Sequence, residues 1–222
     1  DQRLQLMEGY LKPFKKKKVK SVVPLAKPFK RAKKVEAPYD AGGEQDTEKK
    51  HYLTVNWKLP DTSDVVLSFS LRILAHILIG TPASPLKKAL LDSNLGEDLA
   101  GLGLETNLRH LVFSTGLKGT RARHAKKIEK LIFSTLERLA REGIAPDMIA
   151  ASMNTIEFNL RENNTGAFPR GLSVMIRALS TWLYDEDPFK LIAFEAPLAE
   201  IRARLSAEPH YFEKLIQTHL LD

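Results

Sequence analysis

The chain has 222 residues, enough for one large domain or two small ones, and 43% are hydrophobic, so it can bury a core and is not a disordered polyelectrolyte. It has no cysteine, which excludes a disulfide scaffold, thiolate zinc sites and a cysteine nucleophile, and fits a reducing compartment. The formal charge of +7 is concentrated in one arm: eleven Lys or Arg and no acid lie between Lys12 and Lys34, and elsewhere twenty-three basic residues are outnumbered by twenty-seven acidic ones.

The first residues read as an amphipathic helix through Leu4, Met7 and Leu11, with no signal or transit pattern visible. The basic arm is broken by Pro13, Pro24 and Pro28 and carries the apolar Val22-Val23-Pro24-Leu25. That mixture predicts an extended segment laid on a folded surface with its lysines in water, rather than a nucleic-acid face. The stretch 41–50 is polar and glycine-containing, hence an exposed loop. Alternation of Leu53, Val55 and Trp57 with Tyr52, Thr54 and Asn56 predicts a strand closed by Pro60. Asp61-Thr-Ser-Asp64 is a capping signature for an apolar helix running to Gly80. No window approaches twenty uninterrupted apolar residues, so no membrane span is expected. A shorter helix follows Pro85 and ends at Asn94-Leu-Gly96.

Glycines 96, 101 and 103 read as turns before a second strand over 107–115, which places Leu111 and Phe113 on one face and His110 and Val112 on the other. Gly116 and Gly119 then relax the backbone. A helix over 123–142 puts Ile128, Leu131, Ile132, Leu136 and Leu139 on one stripe and stops at Gly143. Pro146 suits the first position of the next helix, which carries Met148, Ile149, Met153, Ile156 and Leu160. The remainder reads as helices over about 172–184, 197–205 and 211–221. Strands separated by helices and followed by helices alone indicate an α+β layer and then a helical segment.

Between the last two parts lies the densest polar run, Glu157-Phe-Asn-Leu-Arg-Glu-Asn-Asn-Thr-Gly166, then Phe168-Pro-Arg-Gly-Leu172. Asn, Thr and Gly favour caps and turns over helix interiors. One helix is expected to end near Asn163, with a tight corner and a new helix after Pro169. Glu157, Arg161, Glu162, Asn163, Asn164 and Arg170 are the candidate site residues. They are expected to form a buried polar clamp in which Arg161 and Arg170 satisfy Glu157, Glu162 and helix-end carbonyls; the sharper alternative is a peptide-contacting or interdomain switch.

This corner, together with the blocks Ser84–Asp98 (SPLKKALLDSNLGED), Phe113–Gly119 (FSTGLKG) and Trp182–Pro188 (WLYDEDP), resembles the presequence-protease branch of the pitrilysin/insulinase family of zinc metallopeptidases. The blocks keep that family's order, and the resemblance runs from about Leu4 to the C-terminus. It implies helices packed on a mainly antiparallel sheet, followed by an all-helical segment. It divides the chain into an N-terminal helix end, basic arm and polar loop (1–50), a non-catalytic α+β domain (51–164) and the start of a helical hairpin (165–222). The piece is then an internal fragment of a metallo-endopeptidase that degrades short unstructured peptides, forming chamber wall and connector. Its expected partners are the remaining domains of the same chain and the parent's peptide substrates, with no membrane and no nucleic acid. The compartment is left open between a bacterial cytoplasm and an organelle matrix.

No catalytic or metal-binding residue is expected here, and no cofactor; Zn²⁺ belongs to the parent enzyme. The family's His-x-x-Glu-His motif binds zinc through both histidines and uses the glutamate as general base. The nearest string, His210-Tyr-Phe-Glu213-Lys214, puts an ammonium where the second imidazole belongs, which removes a ligand and repels the cation. His51, His76, His110 and His124 share no ligand spacing, and His76, inside an apolar helix, reads as a hydrogen-bonded core residue. Ser114 lacks the first glycine of a nucleophile elbow, and the glycines near 101 lack a phosphate-loop Lys-Ser/Thr. Glu157 and Glu162, five apart, fall on different helix faces. Trp182 and Tyr184 read as core and cap. The reading from another class is a stand-alone interaction module whose basic arm binds an acidic or nucleic-acid partner.

Overall fold

The structure is a computed structural model and describes residues 1–15, 17–18, 20, 23–43 and 47–222. Three antiparallel strands form one sheet in the order β1-β3-β2. The alternating segment becomes β1 (His51–Asp61), and β3 (His110–Thr120) pairs with it so that Val55 faces Thr115 and Trp57 faces Phe113. Leu111, Phe113 and Leu117 of β3 are buried, the face expected from the alternation. The strand does not end at Thr115. Gly116 lies inside it, because a Cβ there would sit 1.9 Å from the Leu53 carbonyl oxygen of the neighbouring strand.

The third strand, β2 (Asp98–Glu105), replaces the turns expected from Gly101 and Gly103. Both glycines have positive φ, +95° and +70°, and sit where the β2–β3 register shifts between Ala100 and Gly103. They form a bulge inside a strand, and Leu104 beyond it returns to register opposite Phe113.

Helices cover the apolar face. Asp64 caps α2 (Val65–Ala75) by accepting the Leu67 N–H at 2.9 Å. The helix continues as a π turn over His76–Gly80, breaks at Thr81–Ser84 and restarts as α3 (Pro85–Asp92). The run Val65–Asp92 has the length and composition of a membrane span, but half of its most apolar window is buried inside the protein. Phe69, Ile73, Leu74, Ile77 and Leu78 meet Leu111, Leu117, Ile128, Ile132 and Leu136 in one core. The last three come from α4 (Ala125–Glu142), whose single apolar stripe is the expected one and which ends at Gly143 with φ +92°.

Then come α5 (Pro146–Glu162), α6 (Arg170–Trp182), α7 (Glu195–Ala207) and α8 (Tyr211–Ile216), the last extended by a π turn to Leu221. Beyond residue 165 the regular elements are helices, joined by turns over 183–194, and the last two helices enter the same core. Leu198 and Ile201 of α7 pack against α2, and Phe212 and Ile216 of α8 against α4. Trp57 Nε1 donates to the Leu220 carbonyl at 2.9 Å, and the Tyr211 hydroxyl lies 2.8 Å from Ser70 Oγ. Trp182, expected in the core, is exposed at the last position of α6. Tyr184 stacks on the Arg109 guanidinium.

At the N-terminus, α1 (Gln2–Leu11) buries no residue. The described arm residues after Leu11 are irregular and exposed. The arm is tied to the sheet edge: Arg109 donates to the Val23 carbonyl, Lys58 Nζ donates to the Ala26 and Lys27 carbonyls at 2.7 and 3.0 Å, and the Ala26 N–H donates to His110 Nε2 at 3.0 Å. Lys16, Val19, Ser21 and Val22 of the arm, and Glu44, Gln45 and Asp46 of the polar loop, lie outside the described residues.

Candidate functional site

Among the described residues no group of three or more His, Cys, Asp or Glu could hold a metal ion. The near-motif on α8 is engaged elsewhere. Glu213 is buried, and its Oε1 accepts the Ile144 N–H at 2.7 Å, fastening the α4–α5 turn. His210 Nδ1 stands 3.6 Å from the same oxygen, and Lys214 turns outward to Glu208 at 3.2 Å. A zinc ion does not fit this set, because its would-be carboxylate already serves a backbone amide and its third position carries a cation. Ser114 Oγ donates to Asn56 Oδ1 across the sheet at 2.6 Å, a strand-to-strand tie. His76 Nδ1 lies 3.0 Å from Ser152 Oγ, linking the π turn after α2 to α5, and burial lowers its pKa.

The polar corner is where local chemistry and packing meet. The α5 helix ends at Glu162 because Asn163 adopts the left-handed conformation, φ 44° and ψ 43°, and caps back to the Asn159 carbonyl. Asn164 Oδ1 accepts the Gly166 N–H at 2.9 Å, Thr165 Oγ1 donates to the Phe168 carbonyl at 2.6 Å, and Pro169 precedes the first residue of α6. Asn163 is also anchored from outside, its Oδ1 accepting from Arg177 Nη2 of α6 at 2.7 Å.

Glu157 is the electrostatic centre of this region. Its side chain is only 17% exposed, and Oε1 accepts from Arg161 Nε and Nη2 at 3.1 and 2.7 Å. The other oxygen accepts from Arg202 of α7. The Arg161 and then the Arg202 hydrogen bonds hold its carboxyl below the usual range. Arg161 also lies over the Phe194 ring.

The arrangement differs from the expected closed clamp. Arg170 and Glu162 are exposed, and no ion pair or hydrogen bond joins either to a partner among the described residues. Glu157 sits more than a turn inside α5 on the side facing α7, whereas Arg170 lies beyond the 163–169 loop. The cation that completes the Glu157 site therefore comes from Arg202, forty-five positions away. Sequence separation hid it.

A second polar feature lies beside the corner. A crevice of about 40 Å³ opens between α2, α6 and the β2–β3 turn, lined among others by Thr62, Arg72, Asn107, Arg177 and Ser180. The Arg72 side chain makes no hydrogen bond or ion pair among the described residues, and burial, followed by the neighbouring Arg177, holds its pKa below the usual value. Arg177 Nε is buried without a partner. The available signal was the lone arginine in the apolar run Val65-Val-Leu-Ser-Phe-Ser-Leu-Arg-Ile-Leu.

Comparison with known proteins agrees with this architecture. Residues 1–156 match the Peptidase M16 inactive domain. The chain is 42% identical to presequence protease 1, chloroplastic/mitochondrial, of Arabidopsis thaliana, over 99% of this chain and 21% of that protein. It is 31% identical to Protein HypA of Clostridium perfringens over 97% and 22% of the respective lengths, and 29% identical to the mitochondrial presequence protease of Mus musculus over 78% and 17%. The chain thus spans about a fifth of the length of the curated relatives it matches. A crystal structure from Bordetella pertussis Tohama I, assigned as a zinc protease, superposes with a TM-score of 0.55 at 20% identity, over 76% of this chain and 86% of that one. At that identity the likeness concerns the fold alone. The expected family and the α+β class with its antiparallel sheet both hold: the chain belongs to the Peptidase M16 inactive-domain family.

Proposed function

We propose that this chain is the non-catalytic chamber-wall and connector portion of a zinc metallo-endopeptidase that degrades short unstructured peptides. The observation that carries the reading is the match of residues 1–156 to the inactive domain of peptidases. Matches over 99% and 78% of this chain to presequence proteases several times longer support it. In this reading the zinc and the water it activates belong to another domain of the parent, and no residue of this chain takes part in bond cleavage. Residues 51–164 shape the chamber, 165–222 lead into the hairpin, and the polar corner from Glu157 to Arg170 holds the two parts at a set angle through Arg202 and Arg177. The exposed apolar residues of α1 (Leu4, Leu6, Met7, Leu11) and α6 (Leu172, Met175, Ile176) suit cover by the remaining domains of the same chain.

The test is a fluorogenic oligopeptide assay paired with metal analysis. The 222-residue chain alone is expected to retain no stoichiometric Zn²⁺ and to turn over no substrate, and the longer protein is expected to do both. Zinc-dependent turnover by the isolated chain would refute the proposal. The rival reading, an interaction module acting through its basic arm, predicts salt-dependent binding of DNA or RNA at physiological ionic strength.

A further inference from the structure

We propose that the crevice between α2, α6 and the β2–β3 turn is a carboxylate-binding site read by Arg72 and Arg177. An arginine on an apolar helix face ordinarily brings its counterion with it, because a guanidinium loses hydration on burial and recovers it through carboxylates or carbonyls. Here neither arginine has an acidic partner. Among the described residues no Asp or Glu lines the crevice, the Arg72 side chain meets no acceptor, and the Arg177 side chain is satisfied only at Nη2, by Asn163. Two like charges sharing one crevice repel each other, and Arg72 feels both that repulsion and burial. The Nε of Arg177 is sealed from water without an acceptor. An anion held beside these two guanidinium groups would relieve that repulsion.

Size and wall chemistry select the anion. About 40 Å³ admits one small planar group or a few waters, not a polyphosphate. Phe69, Leu111 and Leu191 supply apolar walls suited to the methylene neighbour of a carboxylate, while the exposed Asn107 and the buried Ser180, whose Oγ lies 3.4 Å from Asn107 Oδ1, are neutral polar lining. The Arg72 fork, which no acceptor engages among the described residues, suits bidentate capture of two carboxylate oxygens. The carboxylate has two possible sources. One is an acidic side chain of the same polypeptide beyond these 222 residues; the other is an acidic or C-terminal carboxylate of a peptide. The site itself stands on this chain's geometry, and only its first source rests on the peptidase reading.

The experiment titrates the 222-residue chain with sodium acetate against sodium chloride at matched ionic strength, reading Tm and the arginine Nε–Hε NMR resonances. Acetate is expected to raise Tm saturably and to shift the Arg72 and Arg177 resonances, whereas chloride does neither. Arg72→Gln is expected to abolish the acetate response. It should leave the acetate-free Tm equal or higher, since it removes an uncompensated charge; Arg72→Lys keeps the charge and serves as the folded control, with a weakened response. Equal responses to acetate and chloride, or an acetate response retained in Arg72→Gln, would overturn the proposal. Repeating the titration on the longer protein separates the sources. A response lost there means that its own carboxylate fills the site, and a response retained there and competed by an acidic peptide means that the ligand is peptide. Failure of the peptidase assay leaves the acetate result on the isolated chain intact.

Discussion

Replacing Ile201 by alanine tests whether the helices after the polar corner belong to the same cooperative unit as the sheet. Ile201 of α7 has 0% exposure and packs against α2 in the shared core. Truncation removes three carbons, about 2.5 kcal/mol of transfer free energy at ~0.8 kcal/mol per buried carbon. The space left, roughly 75 Å³ if nothing collapses, adds up to about 1.8 kcal/mol at ~24 cal/mol per Å³. The expected loss is therefore about 2.5–4 kcal/mol, within the measured span for isoleucine-to-alanine changes. For a chain of this size that corresponds to a Tm decrease of roughly 5–16 °C. Circular dichroism melts and urea titrations of Ile201→Ala, with the exposed Leu172→Ala as control, give the reading. A single transition shifted in that range is the expected outcome. A melt within about 2 °C of the parent, or an unchanged main transition with a separate early one, would refute the packing of α7 on α2 as a source of global stability.

Two further outcomes follow from particular contacts. Gly116→Ala brings a Cβ to 1.9 Å from the Leu53 carbonyl oxygen, a backbone atom that cannot move without parting β1 from β3, so the variant is expected to be largely unfolded at 25 °C by circular dichroism. Glu157→Gln tests the corner. Arg161 and Arg202 depress the folded carboxyl pKa, so the charge contributes stability above the unfolded carboxylate range, and that contribution is lost as pH falls through the folded value. The parent should therefore lose more Tm between pH 5 and acid than the glutamine variant, and parallel pH profiles would show that the pairing contributes nothing.

Much of this structure was legible because its signals are local. The Asp64 cap, the α4 stripe ending at Gly143, the Pro146 start and the Asn163 stop each depend on residues within a few positions. The second strand of the sheet was not legible. Gly101 and Gly103 carry the composition of a turn, and only pairing with β3 shows them as a bulge. The Glu157 site was half legible. Arg161 lies one turn away on the same helix, while Arg202 arrives by the docking of α7. Of the arginine crevice only the lone Arg72 in an apolar run was legible, since its two charges lie on helices 105 positions apart in the chain and only the folded packing makes them neighbours.

Sequence alone determined the start of α2, the stop of α4 and both ends of α5, which stripe of α4 faces inward, that the basic charge resides in one arm, and that no zinc motif is present. Such properties follow from backbone sterics, capping hydrogen bonds and residue identity, which act over a turn or two. Tertiary structure decided the sheet order, the placement of Trp182 outside the core, the partner of Glu157 and the meeting of Arg72 with Arg177. Those depend on which apolar faces bury one another, and burial brings together side chains whose positions along the chain carry no record of the encounter.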